Sequence, residues 1–387
     1  MLSVVTAHSE DPDVDGALDD LLDDARRNLG DRQPSAALLL AAFDMDHQKL
    51  LSGINQAWPG LTLIGGTTDG EISNALPFAE DSTVLMLFCS ELVDITAGLG
   101  RNLGKDMVTA CHQALDEARA GTEKVPALCI TVPESVGLDG QTLVETFTGI
   151  LGEQDVPLLG ATTADQWQFT GSKQFFGAEV VSDSLPILLF SGPLAYSYAV
   201  ASGWKGIGEP GIVTRSEGPV VYEVDGAPAI EFYRKFLGDH AMPSGSIPLA
   251  LLDDQGRIEA LRAPPGIVDG ETGSITFLAH VRQGARVQIT VADRDSILDG
   301  CRTSTQQAHD RFPNDKQPQA ALFFSCAGRR MLLGTRVREE GAIIRDVLGE
   351  DLPHGGFYGY GEIAPYTAED QRARFHNESF IALLLGE

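Results

Sequence analysis

Basic side chains are scarce in this chain. Its 387 residues carry 28 Lys and Arg against 55 Asp and Glu, a formal net charge of −27. Such a surface repels phosphate backbones and anionic lipid, so neither nucleic acid nor a membrane surface is an expected partner. Cysteine is sparse too. Cys89, Cys111, Cys129, Cys301 and Cys326 form an odd set without CxxC spacing. That argues against a zinc site or a disulfide framework and fits reduced thiols in a cytoplasmic protein. No run reaches the roughly 18 consecutive apolar residues of a membrane span, so no membrane insertion is expected. The first residues lack a basic region leading into a long apolar one, and residues 1–34 read as an acidic, solvated helical segment. GK[ST], GxSxG, HExxH, CxxCH and a Ser/His/Asp order are all missing, which points away from an enzyme and from covalently attached haem.

What is present is a recurring order of elements. "AALLLAAF" from Ala36 is followed by a helical stretch at 47–58, then "LIGGTTDGEIS", then the apolar run "DSTVLMLF" from Asp81. The order returns with "ALCITV", a helix near 143–151, "LLGATTADQ" and "DSLPILLF". It returns again with "AALFFSCAG", a helix near 339–348, "GGFYGYGEIAP" and "NESFIALLL". The last two copies extend backwards through a helix and two strands, "STVLMLF" with "VDITAGLG" in one and "SITFLAH" with "ARVQITVAD" in the other. Unbroken apolar strands suit sheets covered on both faces, and strands reached through helices lie parallel. The expected fold is therefore α/β: two related lobes of mixed β-sheet flanked by helices, with an internal β-β-α-β-α-β-β pseudo-repeat. A less regular segment is expected over about 203–218.

The run Gly65-Gly66-Thr67-Thr68-Asp69 ends a strand, as the glycines of a phosphate loop do. A phosphate loop must open a helix, whose free N–H groups bind the anion. Here a Pro-containing, aperiodic stretch follows, and Asp69 and Glu71 would repel phosphate. The expectation is a strand end and turn whose hydroxyls and carboxylates line a small-ligand pocket. Thr162, Thr163 and Asp165 repeat that chemistry, and Tyr358, Tyr360 and Glu362 replace the threonines by phenols.

Taken together, "LIGGTTDGEIS", "GAPAIEFYRKFLG", "SCAGR", "GGFYGYGEIAP" and "FHNESF" resemble the FIST sensory module over roughly residues 36–385. The resemblance implies a FIST N-terminal domain at 35–218 and a FIST C-terminal domain at 219–387. It also implies an intracellular bacterial signal-transduction input protein that binds a small ligand such as an amino acid. Its output would pass to a separate signalling protein, such as a histidine kinase or chemoreceptor. Some members of the family sense gases through haem, so a haem-dependent sensor acting on a partner kinase is the alternative it brings. The family's usual Cys or Ser before the first Thr is replaced here by Gly66, which removes any thiol chemistry at that point.

The expected ligand site gathers Cys326, Arg329, Tyr358, Tyr360 and Glu362, with Gly65, Gly66, Thr67, Thr68, Asp69 and Glu71 as a second set. Arg329 would clamp a ligand carboxylate through its forked guanidinium, or pair with Glu362. Cys326, beside Arg329 and Arg330, would gain thiolate character and, with His354 or His376 as base, serve a hydrolase-like enzyme, or else simply fill the core. No resident cofactor is expected. For haem, the axial candidates would be His47, His112, His280 and His309.

Overall fold

The computed structural model describes residues 1–152, 156–240, 242–366 and 372–387. The α/β architecture is present, with mixed sheets flanked by helices and a repeated order of elements. The repeat has three copies. The first unit runs strand Ser3–Ser9, helix Val14–Leu29, strand Ala36–Ala41, helix His47–Ala57, strand Thr62–Thr67, a short arm Glu71–Ser73 and strand Thr83–Cys89. The second runs Asp94–Arg101, helix Met107–Ala120, Pro126–Thr131, helix Gly140–Leu151, Leu158–Ala161, a hairpin arm (Gln174–Phe176 and Glu179–Val181) and Ser184–Ser191. The third begins with strand Ala195–Ala201 and resumes at helix Arg294–Asp310. It continues through strand Ala320–Cys326, helices Ala327–Leu333 and Arg338–Leu348, strand His354–Gly359, the arm Glu362–Pro365 with Ala373–His376, and strand Phe380–Gly386.

Each unit builds a sheet in the order first, last, second and third long strand, with the second and third strands parallel to each other. Each sheet is then completed by another unit's arm. The second unit's hairpin pairs with Thr62–Thr67, the third unit's arm with Leu158–Ala161, and the first unit's arm with His354–Gly359. The exchange is cyclic, and it covers the sheet edges that would otherwise expose unpaired backbone groups. One face of all three sheets meets in a single apolar core that includes Leu38, Ile64, Ile130, Leu188, Phe324 and Leu383. Helices cover the opposite faces, which is why these strands are apolar on both sides.

Three details differ from the expectations raised by the sequence. Residues 1–34 include a buried strand paired with Thr83–Cys89 as well as the acidic helix. Strand Arg286–Val291 ("RVQITV") is not the third unit's outer strand. It pairs with Lys205–Glu217 and Leu249–Leu252 in a separate antiparallel sheet inserted between Ala201 and Arg294. The outer place is held by Ala195–Ala201, paired to Phe380–Gly386. The segment expected to be irregular is instead a 13-residue strand, Lys205–Glu217. Its glycines and Pro210 make a register shift between Ile207 and Gly211 rather than a loop.

Candidate functional site

The strand ends of the three units converge. Asp69 N–H donates to the Tyr358 carbonyl at 2.8 Å, and Tyr358 N–H to the Gly70 carbonyl at 2.9 Å. Ala164 N–H reaches the Thr67 carbonyl at 2.8 Å, and Thr162 N–H the Gly361 carbonyl at 2.9 Å. The glycines permit this approach. A Cβ on Gly65 would lie 1.7 Å from the Leu39 carbonyl oxygen, and one on Gly66 2.3 Å from the Thr163 methyl carbon. Thr62–Thr67 leads into the strand Glu71–Ser73 and opens no helix, so a phosphate loop is ruled out by geometry as well as by charge. Of the run after Glu362, Glu362–Pro365 is also strand, and 367–371 lies outside the described residues.

The outer layer of the junction is a chain of polar contacts drawn from all three units. Arg330 donates to Asp69 at 2.6 Å, and Trp167 Nε1–H to the same carboxylate oxygen at 3.0 Å. The Trp167 backbone N–H donates to the Tyr360 hydroxyl at 2.5 Å, and that hydroxyl donates to Asp165 at 2.9 Å. Asp165 also accepts from the N–H groups of Phe169, Thr170 and Gly171, which winds the loop around its carboxylate. Gln166, Trp167 and Phe169 all have left-handed φ values, of 52°, 64° and 51°. Non-glycine residues adopt that region at a cost, and such strain concentrates at binding sites. The loop holds two aromatic rings in solvent, Trp167 at 40% exposure and Phe169 at 57%, with Phe169 stacked on Tyr360 at 5.2 Å. Asp69 is buried and raised to about 6 by desolvation, which Arg330 and Trp167 only partly offset. Its second oxygen has no partner among the described residues.

Beneath lies an inner layer of buried acids. Glu71 accepts from the hydroxyls of Thr68 and Ser82, and burial raises it to about 8. His8 ties this group together, bonding Ser73 at 2.8 Å and Ser82 at 2.9 Å. Glu362 accepts from the N–H and hydroxyl of Ser379 at 3.0 and 2.7 Å, and burial raises it to about 8. Glu378 is raised to about 8 by burial and by Glu362. One oxygen each of Glu362 and Glu378 has no partner among the described residues.

The sequence-derived site is therefore only partly assembled. Tyr360 and Asp69 meet in the outer layer, while Thr68 and Glu71 meet below it. Thr67 accepts from Lys173 N–H at 3.0 Å and fastens the second unit's hairpin arm. Arg329 is not a ligand clamp and does not pair with Glu362. It lies on the helix after Cys326, fully buried, and binds Glu340 at 2.7 Å and the Ile297 carbonyl at 3.0 Å. Tyr358 donates to the other oxygen of Glu340 at 2.5 Å. Arg330, the next residue, points the other way. Cys326 is buried, and desolvation with the charges of Glu362 and Glu378 pushes its thiol well up, so it is no activated nucleophile. His354 and His376 are held on the carbonyls of Leu352 and Ala364, and burial lowers both to about 4.

The candidate haem ligands do not fit an axial role. His112 is exposed, and His280 and His309 lie against Asp139 and Asp310. His47 places Nε2 on the Ala42 carbonyl at 2.7 Å and packs on Phe175. None of the four presents an uncommitted nitrogen to an apolar chamber. Trp167, Phe169, Glu340, Glu378 and His8 were not singled out from sequence. For Glu378 the signal was present in "FHNESF", and for Trp167 and Phe169 it was the aromatic pair two and four residues past the second unit's TTAD run.

Fold and site together define an internally repeated α/β protein whose polar junction is assembled from all of its repeats. Residues 35–227 match the FIST N domain and residues 229–365 the FIST C domain, so the chain belongs to the FIST family, whose domains are sensory modules of signal transduction. An uncharacterized protein of Mycobacterium tuberculosis is 25% identical over 372 residues, covering 93% of this chain and 94% of the relative. An uncharacterized protein of Methanocaldococcus jannaschii is 25% identical over 380 residues, covering 90% of this chain and 69% of its own. A solved cyanuric acid hydrolase from A. caulinodans aligns over 100% of this chain and 99% of its own. It has 9% identity and a TM-score of 0.39, and a likeness that low carries no argument about activity. Among the described residues no helix is long and apolar enough to cross a membrane.

Proposed function

We propose that the outer layer is the sensing site and that it takes a free amino acid or a similar small zwitterion. The observation that carries this reading is the Arg330–Asp69 pair, an exposed-side cation and a half-satisfied carboxylate held together under an aromatic wall. A zwitterion supplies the same two charges in reverse. Its carboxylate takes the forked guanidinium of Arg330 in place of Asp69 and the exposed Glu80, and its ammonium takes the unpartnered oxygen of Asp69. Trp167 already holds Asp69 by a hydrogen bond, and Tyr360 holds the Trp167 backbone, so a ligand that parts the pair also moves the loop carrying Trp167 and Phe169. That loop offers exposed aromatic surface, from which a separate signalling protein reads the ligand state. Ring-bearing, hydrogen-bonding patches of this kind are favoured contact points between proteins.

The test is a thermal-shift screen of amino acids. A ligand at a hundred times its dissociation constant adds roughly 2.7 kcal/mol of stability. The shift should disappear in Arg330→Ala and in Asp69→Asn. A ligand that stabilises both variants as much as the wild type binds elsewhere and overturns the assignment.

A further inference from the structure

A separate cavity of about 510 Å³ opens where helix Gly140–Leu151 of the second unit faces the inserted sheet and the third unit's arm. It shares no residue with the outer layer described above. Its wall includes Arg262, Arg282, His280, Gln141, Glu145 and Glu259. Arg262 is the unusual member. It is 5% exposed, and its guanidinium meets only neutral acceptors. Nε donates to the His280 carbonyl at 2.9 Å, Nη1 to the Leu261 and Phe375 carbonyls at 2.9 and 3.3 Å, and Nη2 to Gln141 Oε1 at 3.4 Å. No carboxylate among the described residues lies within 4.0 Å of it. The nearby acids are otherwise engaged. Glu259 holds Arg282 at 3.6 Å and also contacts Arg374, and Glu145 accepts from Gln141 Nε2 at 2.8 Å.

A buried cation without a paired anion is costly. The other buried arginine, Arg329, has its glutamate; Arg262 has a cavity instead. Burial accordingly pushes Arg262 down to about 10, with Glu145 acting the other way and only partly. Of the two Nη2 hydrogens, one makes a long bond to Gln141 and the other has no acceptor among the described residues, so one N–H of the buried guanidinium is available to an incoming oxyanion. Arg282 is 73% exposed at the rim and only loosely held, which leaves it free to swing onto the same group.

We propose that this cavity is a second ligand site, for a small metabolite carrying a phosphate or other multiply charged oxyanion head. Arg262 is its fixed anchor and Arg282 its mobile one. The volume is within the usual range of about 300–1,000 Å³ for small-molecule pockets. Because its walls come from the second unit, the inserted sheet and the third unit, occupancy would join the two FIST domains. Gln141 already makes that link in part, accepting from His280 N–H at 3.0 Å.

Inorganic pyrophosphate and citrate are the probes, titrated by calorimetry into the full chain at low salt. Binding of at least one is expected, weakening as sodium chloride is raised. Pyrophosphate binding alone identifies a phosphate site, and citrate binding alone a polycarboxylate site. Arg282→Ala, a rim change that leaves the packing untouched, should weaken binding about tenfold, equivalent to about 1.4 kcal/mol. Arg262→Gln should abolish it; if that variant does not fold, Arg282→Glu takes its place and should abolish binding by charge reversal at the rim. Arg330→Ala should leave this binding unchanged while removing the amino-acid response, so the two sites fail separately. No binding of either probe at about 10 mM, or equal affinity in wild type and Arg282→Ala, would overturn the proposal.

Discussion

Removing the Arg329 guanidinium should unfold the C-terminal unit far more readily than removing its neighbour Arg330. Arg329 and Glu340 are both fully buried, 2.7 Å apart, and Glu340 also accepts from Tyr358 at 2.5 Å. Arg329→Met leaves a carboxylate in an apolar interior with one phenol for company. Breaking a buried pair on one side costs about 3–5 kcal/mol. At roughly 2–4 °C per kcal/mol for a domain of 150–250 residues, that is a fall of about 6–20 °C in melting temperature. Arg330→Ala strands a different acid. Asp69 sits at about 6, so neutralising it at pH 7 costs only about 1.4 kcal/mol. The assay is urea denaturation followed by circular dichroism, with Arg329→Met/Glu340→Leu as the closing corner of a double-mutant cycle. The double variant should recover most of the loss, because an apolar pair replaces a desolvated ionic one. A loss below about 1 kcal/mol in Arg329→Met, or a double variant no better than the single, would refute the claim that this pair holds the lobe together.

Stability should fall as pH rises from 6.5 to 8. Glu71, Glu362 and Glu378 are raised to about 8 in the native state, so the fold retains protons that the unfolded chain has already released. Below 6.5 the lowered histidines His8, His354 and His376 oppose this trend, since acid must charge them. Glu378→Gln should flatten the decline, and an unchanged slope by differential scanning calorimetry would count against a protonated Glu378. Iodoacetamide at pH 7.5 should leave Cys326 unmodified in the native protein and label it in guanidinium, as mass spectrometry would show; rapid native labelling would revive a nucleophilic role. Tyr360→Phe removes the hydroxyl between Asp165 and Trp167 at a cost of about 1 kcal/mol, and Trp167 emission should shift. An unaltered spectrum would mean that the loop does not depend on this contact.

Much of the architecture was legible in local pattern. The strand–helix–strand order, the parallel central pairs and the refusal of Gly65-Gly66 to open a helix all follow from apolar period, proline and charge acting over a few residues. The same holds for Thr68 near Glu71, only three positions apart. The exchange of arms was not legible, because strands as short as Glu71–Ser73 and Gln174–Phe176 carry no partner information in their own residues. They find their edges only once three sheets exist. Arg329 and Arg330 mark the boundary between the two levels. They are adjacent and chemically identical, and the run "SCAGR" directed attention to the first. A seven-residue helix after Cys326 sends one inward to Glu340 and the other to the junction with Asp69 and Glu80. Sequence determined that charged groups would stand at these strand ends. Which of them is committed to folding, and which faces a ligand, depended on side-chain direction and on partners as distant as Asp69, which only the tertiary structure decides.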